Sequence, residues 1–231
     1  MARRRRLLAL LALVTLAACS RRADVARPPP SPPLADARVP ADPMSWRGAE
    51  WLERPEREAE EQPDKVLDAL ALKPGQVVAD VGTGTGYFAI RMARRVLPGG
   101  RVLATDIQPE MLARLRINAE AAHLTNIEPV LATEDDARLP AATIDLALMV
   151  DVYHELAHPK VTLGQVRRAL REGGRLVLVE YRGEDPAVTI KPEHKMTLSD
   201  VRGEIEPNGF RFVESLEFLT SQHVIIFARA L

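Results

Sequence analysis

Two apolar periodicities alternate along this chain. Short, mostly apolar runs read as strands at 77–81, 101–106, 127–131, 144–150 and 175–180, the first apolar on both alternating faces and the fourth nearly all apolar, as in strands buried in a parallel sheet. Between them, apolar residues recur at helical spacing: Val66, Leu67, Leu70 and Leu72; then Phe88, Ile90, Met92, Ala93, Val96 and Leu97; then Met111, Leu112, Leu115 and Ile117; then Val161, Leu163, Val166 and Leu170. Pro74-Gly75 and Pro98-Gly99-Gly100 stop the first two helices, Pro109 and Pro159 suit the first turns of the next two, and Gly173-Gly174 is expected to cap the last. A further helix is predicted near 198–206, followed by strands over 210–216 and 223–228. The turn at Thr220-Ser221-Gln222 is short enough only for a hairpin, so one edge strand must run antiparallel. Strand–helix alternation up to that point predicts an α/β fold, a mostly parallel sheet with right-handed crossovers and helices on both faces.

The chemistry gathers at the end of the first strand. Asp80 and Val81 lead into Gly82-Thr83-Gly84-Thr85-Gly86, where the backbone can turn sharply and approach a ligand closely. Asp106 closes the second strand about 20 residues later, where nucleotide-binding folds place a carboxylate on ribose hydroxyls. The glycine spacing departs from G-x-G-x-x-G, since Tyr87 stands where a dinucleotide site wants glycine. Asp80 would also sit close to a pyrophosphate, and like charges at that range in a desolvated site repel. A ligand with an ammonium, a sulfonium and one carboxylate suits the loop better, and S-adenosylmethionine carries those groups.

With these residues in place, the stretch 64–229 resembles a class I S-adenosylmethionine-dependent methyltransferase, most similar to the small-molecule (type 11, quinone-biosynthesis-like) branch. The resemblance implies a Rossmann-like, doubly wound, seven-stranded sheet with an antiparallel C-terminal edge hairpin. It implies that Asp80 and the Gly82, Gly84 and Gly86 backbone hold the methionyl part, Asp106 the ribose and Asp136 the adenine amine, with Thr83, Ile107 and Ala137 also at the cofactor. Asp151, after the fourth strand, is expected at the cofactor as well. His154 is the candidate general base and Tyr153 its companion, with His158 and His194 weaker candidates, while Glu180 and Tyr181 are expected near the acceptor. Trp46 to Glu61, charged and holding both tryptophans, is read either as a lid over the cofactor or as cover for a sheet edge.

The N-terminus reads separately. Arg3 to Arg6 is a basic cluster, Leu7 to Ala18 an apolar run of about 12 residues, too short to span a bilayer, and Leu16-Ala17-Ala18-Cys19 resembles a bacterial lipobox. The expectation is a signal peptide over 1–19 lipidated at Cys19, a Pro-rich linker over 20–44 and a catalytic domain over 45–231, exported and anchored facing the periplasm. The alternative is a cytoplasmic protein with a misassigned start. Without residues 1–18, which hold four arginines and no acid, Lys+Arg falls from 31 to 27 against 32 Asp+Glu, a net charge near −5. That balance argues against a nucleic-acid partner. Cys19 is the only cysteine, so neither a disulfide framework nor a thiolate metal site is expected, no metal is assigned, and an arsenical acceptor held by thiolates is disfavoured. The partner expected is a small-molecule methyl acceptor. A nicotinamide oxidoreductase and a non-enzymatic lipoprotein retaining the fold remain as alternatives.

Overall fold

A computed structural model describes residues 38–230; the basic cluster, the apolar run, Cys19 and most of the Pro-rich linker lie outside them. A 3-10 segment over Trp46–Glu53 leads into two short helices, α1 (Arg57–Glu61) and α2 (Pro63–Leu70). Then β1 (Val77–Val81), α3 (Tyr87–Val96), β2 (Arg101–Asp106), α4 (Pro109–Ala121), β3 (Ile127–Leu131) and β4 (Ile144–Val150) alternate as their apolar periods require. The second half runs α5 (Pro159–Ala169), β5 (Leu170–Arg182), β6 (Lys195–Met196), α6 (Leu198–Ile205), β7 (Phe210–Leu216) and β8 (Gln222–Arg229). No helix among the described residues is long and apolar enough to cross a membrane.

The strands lie in the order β3-β2-β1-β4-β5-β8-β7, with β6 paired to the end of β5, which makes eight strands where seven were expected. Pairing is parallel from β3 to β5 and antiparallel on both sides of β8. The predicted hairpin is present, but its reversed strand β8 is second from the edge and β7 forms the rim. The extra strand, two residues long, is too short to leave a periodic trace in the sequence.

Alternation sorts the strand residues onto two faces. Ala79, Leu103, Ala147, Met149, Leu176 and Phe227 face one layer, where α5 adds Leu163 and Val166 and α6 adds Val201 and Ile205. Val78, Val102, Leu146, Leu148, Val177 and Val224 face the other, covered by Leu67 and Leu70 of α2, Phe88 and Met92 of α3 and Leu115 of α4. β4 is apolar on both sides because both sides are core.

The expected helix cap at Gly173-Gly174 is corrected by the structure. α5 ends at Ala169, whose carbonyl accepts from Thr143 N at 2.8 Å while that of Arg168 accepts from Ala142 N at 2.9 Å. With those carbonyls satisfied the helix needs no glycine cap, and Leu170 turns at once into β5 opposite Ile144. Gly173 (φ +75°) lies in the irregular stretch where the β4–β5 register shifts.

Gly86 starts α3 at φ +89°, and a Cβ there would stand 2.1 Å from Leu115 Cδ1 of α4. Left-handed strain and overpacking act together, so Gly86→Ala should lower unfolding free energy by about 2–4 kcal/mol in urea denaturation. A loss under about 0.5 kcal/mol would mean that α4 yields freely.

Candidate active site

Sheet order reverses between β1 and β4, and open α/β sheets place their ligand crevice at the carboxyl ends of such strands. A cavity of about 720 Å³ opens there. After β1 the chain turns at Gly82 (φ +72°), where an added Cβ would come within 2.5 Å of Val152, so the glycine answers both to backbone angle and to close packing. Gly82 N and Thr83 N both donate to Thr105 O at 2.9 Å, pinning the loop to the end of β2.

Asp80 and Asp106 flank this turn. Asp80, 3% exposed, accepts from Thr83 Oγ1 at 2.8 Å, and burial pushes its carboxyl up to about 6. Asp106 uses one oxygen for Gly84 N at 2.9 Å and the other for Gln108 N at 2.8 Å. Burial raises this carboxyl too, against the lowering effect of those backbone donors. Each Asp106 oxygen keeps a lone pair, enough to accept from two neighbouring hydroxyls.

A second group of acids lies beyond β4. Asp151 (φ +52°) takes Gln222 Nε2 on both oxygens at 2.9 Å, and its carboxyl is pushed well up by burial and then by the charges of Glu61 and Glu180. Fully buried Glu180 accepts from Tyr153 N at 2.9 Å and meets His154 Nδ1 at 2.6 Å. Burial works against a charged His154, but Glu180, Asp151 and Glu155 outweigh it and hold the imidazole above its ordinary range. Glu155 is pushed up to about 7, by burial first, with His154 opposing. His154 Nε2 is left directed at His194 Nδ1, 3.1 Å away, and His194 is lowered by burial and by His154.

The segment before α2 covers this cavity instead of a sheet edge. Met44, Trp51, Leu52, Arg54, Arg57 and Glu61 all line it. Arg38 donates to His154 O and Tyr153 O, both at 2.7 Å, and pairs with Glu204 at 3.0 Å. Gln108 bridges Met44 O and Trp46 N, and Glu53 holds Arg114 at 2.6 Å, so the segment is tied at several points to α4 and the strand ends. Arg57 is 7% exposed, paired with Glu61 at 2.6 Å and stacked over the Tyr87 ring.

The expected site residues fall into two groups. Asp80, Gly82, Thr83, Gly84, Asp106, Ile107, Ala137, Asp151 and His154 line the cavity. Gly86, Asp136 and Tyr153 do not: Gly86 packs on Leu115, Asp136 accepts from Arg138 N at 2.8 Å, and Tyr153, fully buried, donates its hydroxyl to Glu204 at 2.8 Å. Tyr153 is thus placed away from any acceptor. Glu134 takes the wall position anticipated for Asp136, a two-residue shift within a run of three consecutive acids. Glu61, Arg57 and Gln222 carried no signal, since the first two sit in a charge run that reads as a solvated face. The lining holds seven carboxylates (Asp42, Glu61, Asp80, Asp106, Glu134, Asp151, Glu155) against three lysine or arginine side chains, Arg54, Arg57 and Lys191.

Among curated relatives, a demethylmenaquinone methyltransferase of Thermus thermophilus is 32% identical over 120 residues, 51% of this chain and 52% of that protein. An arsenite methyltransferase of Halobacterium salinarum is 26% identical over 156 residues, 62% of this chain and 39% of that one, so the chain spans about half or less of these relatives' length. A crystal structure of a SAM dependent methyltransferase from Aquifex aeolicus superposes with a TM-score of 0.77 at 26% identity, covering 81% of this chain and all of that one. The methyltransferase-domain family profile matches residues 72–218, the stretch from the end of α2 through β7, and on that match the chain belongs to the methyltransferase-domain family.

Proposed function

We propose that the chain is an S-adenosylmethionine-dependent methyltransferase acting on a small-molecule acceptor. The observation that carries this reading is the pair Asp80 and Asp106 at the carboxyl ends of adjacent strands, flanking a glycine turn in a cavity with an excess of carboxylates. The donor set fits that cofactor: a buried acid for an ammonium, a second acid with free lone pairs for vicinal hydroxyls, and a volume in the range of small-molecule sites. A dinucleotide's pyrophosphate would have to sit beside Asp80, which speaks against the oxidoreductase alternative.

When bound, the cofactor supplies a methyl carbon activated by its sulfonium for in-line displacement. Asp80 would hold the ammonium, Asp106 the ribose hydroxyls and Ile107 the adenine face, with Glu134 and Ala137 toward the exocyclic amine. Alignment and exclusion of water account for most of the acceleration, and Trp51, Leu52 and Met44 of the covering segment provide the exclusion. Where the acceptor carries a proton, His154 Nε2 would take it, a reading supported by Glu180 holding the opposite ring nitrogen. The described residues that line the pocket include no cysteine with which to hold an arsenical.

For location, we propose export and lipid attachment at Cys19. The support is the order of basic cluster, apolar run and small residues before that cysteine.

Calorimetry on the full-length chain should show S-adenosylmethionine binding and no comparable affinity for a nicotinamide dinucleotide; binding of the dinucleotide alone would overturn the reading. Asp106→Ala should weaken the cofactor about tenfold or more, the effect of losing charge-assisted hydrogen bonds. Asp80 makes a sharper prediction. Between about pH 4 and pH 6 the folded chain keeps a proton on Asp80 that the unfolded chain has released, so stability falls as pH rises through that window, by about 3 kcal/mol in all. Asp80→Asn should therefore raise the thermal midpoint at neutral pH, have little effect near pH 4, and still weaken cofactor binding. A variant less stable at neutral pH would contradict this. For Cys19→Ser, the expected outcome on fractionation is a move from membrane to soluble fraction, and unchanged membrane recovery would count against the anchor.

A further inference from the structure

One wall of the cavity brings three metal-competent side chains together. His154, Glu155 and His194 each present one donor atom, and the three atoms lie within 4.8 Å of one another. His154 Nε2 stands 3.1 Å from His194 Nδ1 and 3.9 Å from Glu155 Oε1. Nitrogens bound to one ion at about 2.0–2.1 Å stand roughly 2.8–3.4 Å apart in octahedral or tetrahedral geometry, so the two imidazoles already have a chelating separation.

A hydrogen bond between two imidazoles has the same length, and the surroundings decide between the two. Glu180 holds His154 Nδ1 at 2.6 Å and is itself held by Tyr153 N at 2.9 Å, which is the carboxylate–histidine arrangement that orients a ligating nitrogen. It fixes the ring so that Nε2 faces the cavity. All three donors line that cavity. His194 arrives from the 3-10 turn Pro192–His194, 40 residues along the chain from His154. His158, only four positions after His154, does not join the cluster: it is 54% exposed and lies 3.6 Å from Asp135 on the surface.

We propose that His154, Glu155 and His194 bind one divalent transition-metal ion of borderline softness, Zn²⁺ or an ion of similar size, with Glu180 as the positioning residue behind His154. Two imidazoles and one carboxylate favour such an ion over Mg²⁺ or Ca²⁺, which prefer all-oxygen ligands. The remaining coordination positions open to the acceptor side of the cavity, where the ion would hold an ionised acceptor oxygen. It would then occupy the His154 lone pair otherwise free to accept a proton. Ion binding can be read with no methyl transfer at all, so its failure leaves the cofactor assignment standing, and the reverse holds too.

The test is calorimetric titration of the full-length chain, stripped of metal with a chelator, with Zn²⁺ and separately with Mg²⁺. One Zn²⁺ per chain is expected, with Mg²⁺ bound far more weakly, and Co²⁺ in its place should give a d–d absorption band typical of mixed nitrogen and oxygen ligands. His194→Ala, on a partly exposed turn, should weaken Zn²⁺ more than about tenfold, Glu180→Gln by about 10–100-fold, and His158→Ala not at all. Circular dichroism checks that each variant is folded, and Glu155→Gln replaces any that is not. Absence of saturable Zn²⁺ binding, or equal binding by a folded His194→Ala chain, would overturn the proposal.

Discussion

Burying a carboxylate without a counter-charge costs several kcal/mol, and this fold collects such groups around one opening. Asp80, Asp106, Asp151 and Glu155 are all pushed upward by desolvation before any neighbour acts. The sheet is what puts them there. Parallel strands deliver their carboxyl ends to one edge of the molecule: β1 carries Asp80 as its penultimate residue, β2 ends in Asp106 and β4 leads straight into Asp151. Hydrogen bonds from Thr83, Gly84, Gln108 and Gln222 lessen the cost without supplying positive charge. The site is therefore built to be completed by a cation, which is the physical content of choosing a sulfonium cofactor over a pyrophosphate.

The few cations on the lining do not remove that demand. Arg57 is committed to Glu61 and to the face of Tyr87, and Arg54 sits over Trp51. Both belong to the covering segment, so their charge helps hold the cover in place. Stability and function pull in opposite directions at such a site: neutralising an acid relieves the empty fold and weakens what the fold holds.

The layered fold was legible because β4 and its neighbours are mostly apolar and the helices between them carry apolar residues at helical spacing, although Ile117 and Val161 of those predicted stripes face solvent. Asp80 and Asp106 were legible because each lies at or next to the carboxyl end of a strand, where side-chain direction follows from pleat alone. The miscast positions have local causes. Asp136 belongs to a triplet of acids in a loop, where no period sets the register, and the wall position goes to Glu134. Tyr153 and His154 are adjacent, and only the 3-10 turn over Tyr153–Glu155 decides that the imidazole faces inward while the phenol reaches Glu204. Gly173-Gly174 looked like a helix end because glycine pairs commonly are, whereas the carbonyls it would have capped are taken by residues from before α5. Glu61, Gln222 and the partnership of His154 with His194 depend on contacts between distant parts of the chain, which composition does not encode.

One consequence follows from Gln222. This residue opens β8, and its amide is the group that holds both oxygens of Asp151, 71 positions earlier. At the other end Arg38 grips the carbonyls of Tyr153 and His154. The cavity is thus clasped by residues near both limits of the described chain. A nascent polypeptide cannot form the finished pocket until β8 has been synthesised and has inserted between β5 and β7. Ligand-binding competence therefore arrives late, as a property of the whole domain, and any truncation short of β8 should be blind to ligand even where the nucleotide-facing half of the sheet has formed.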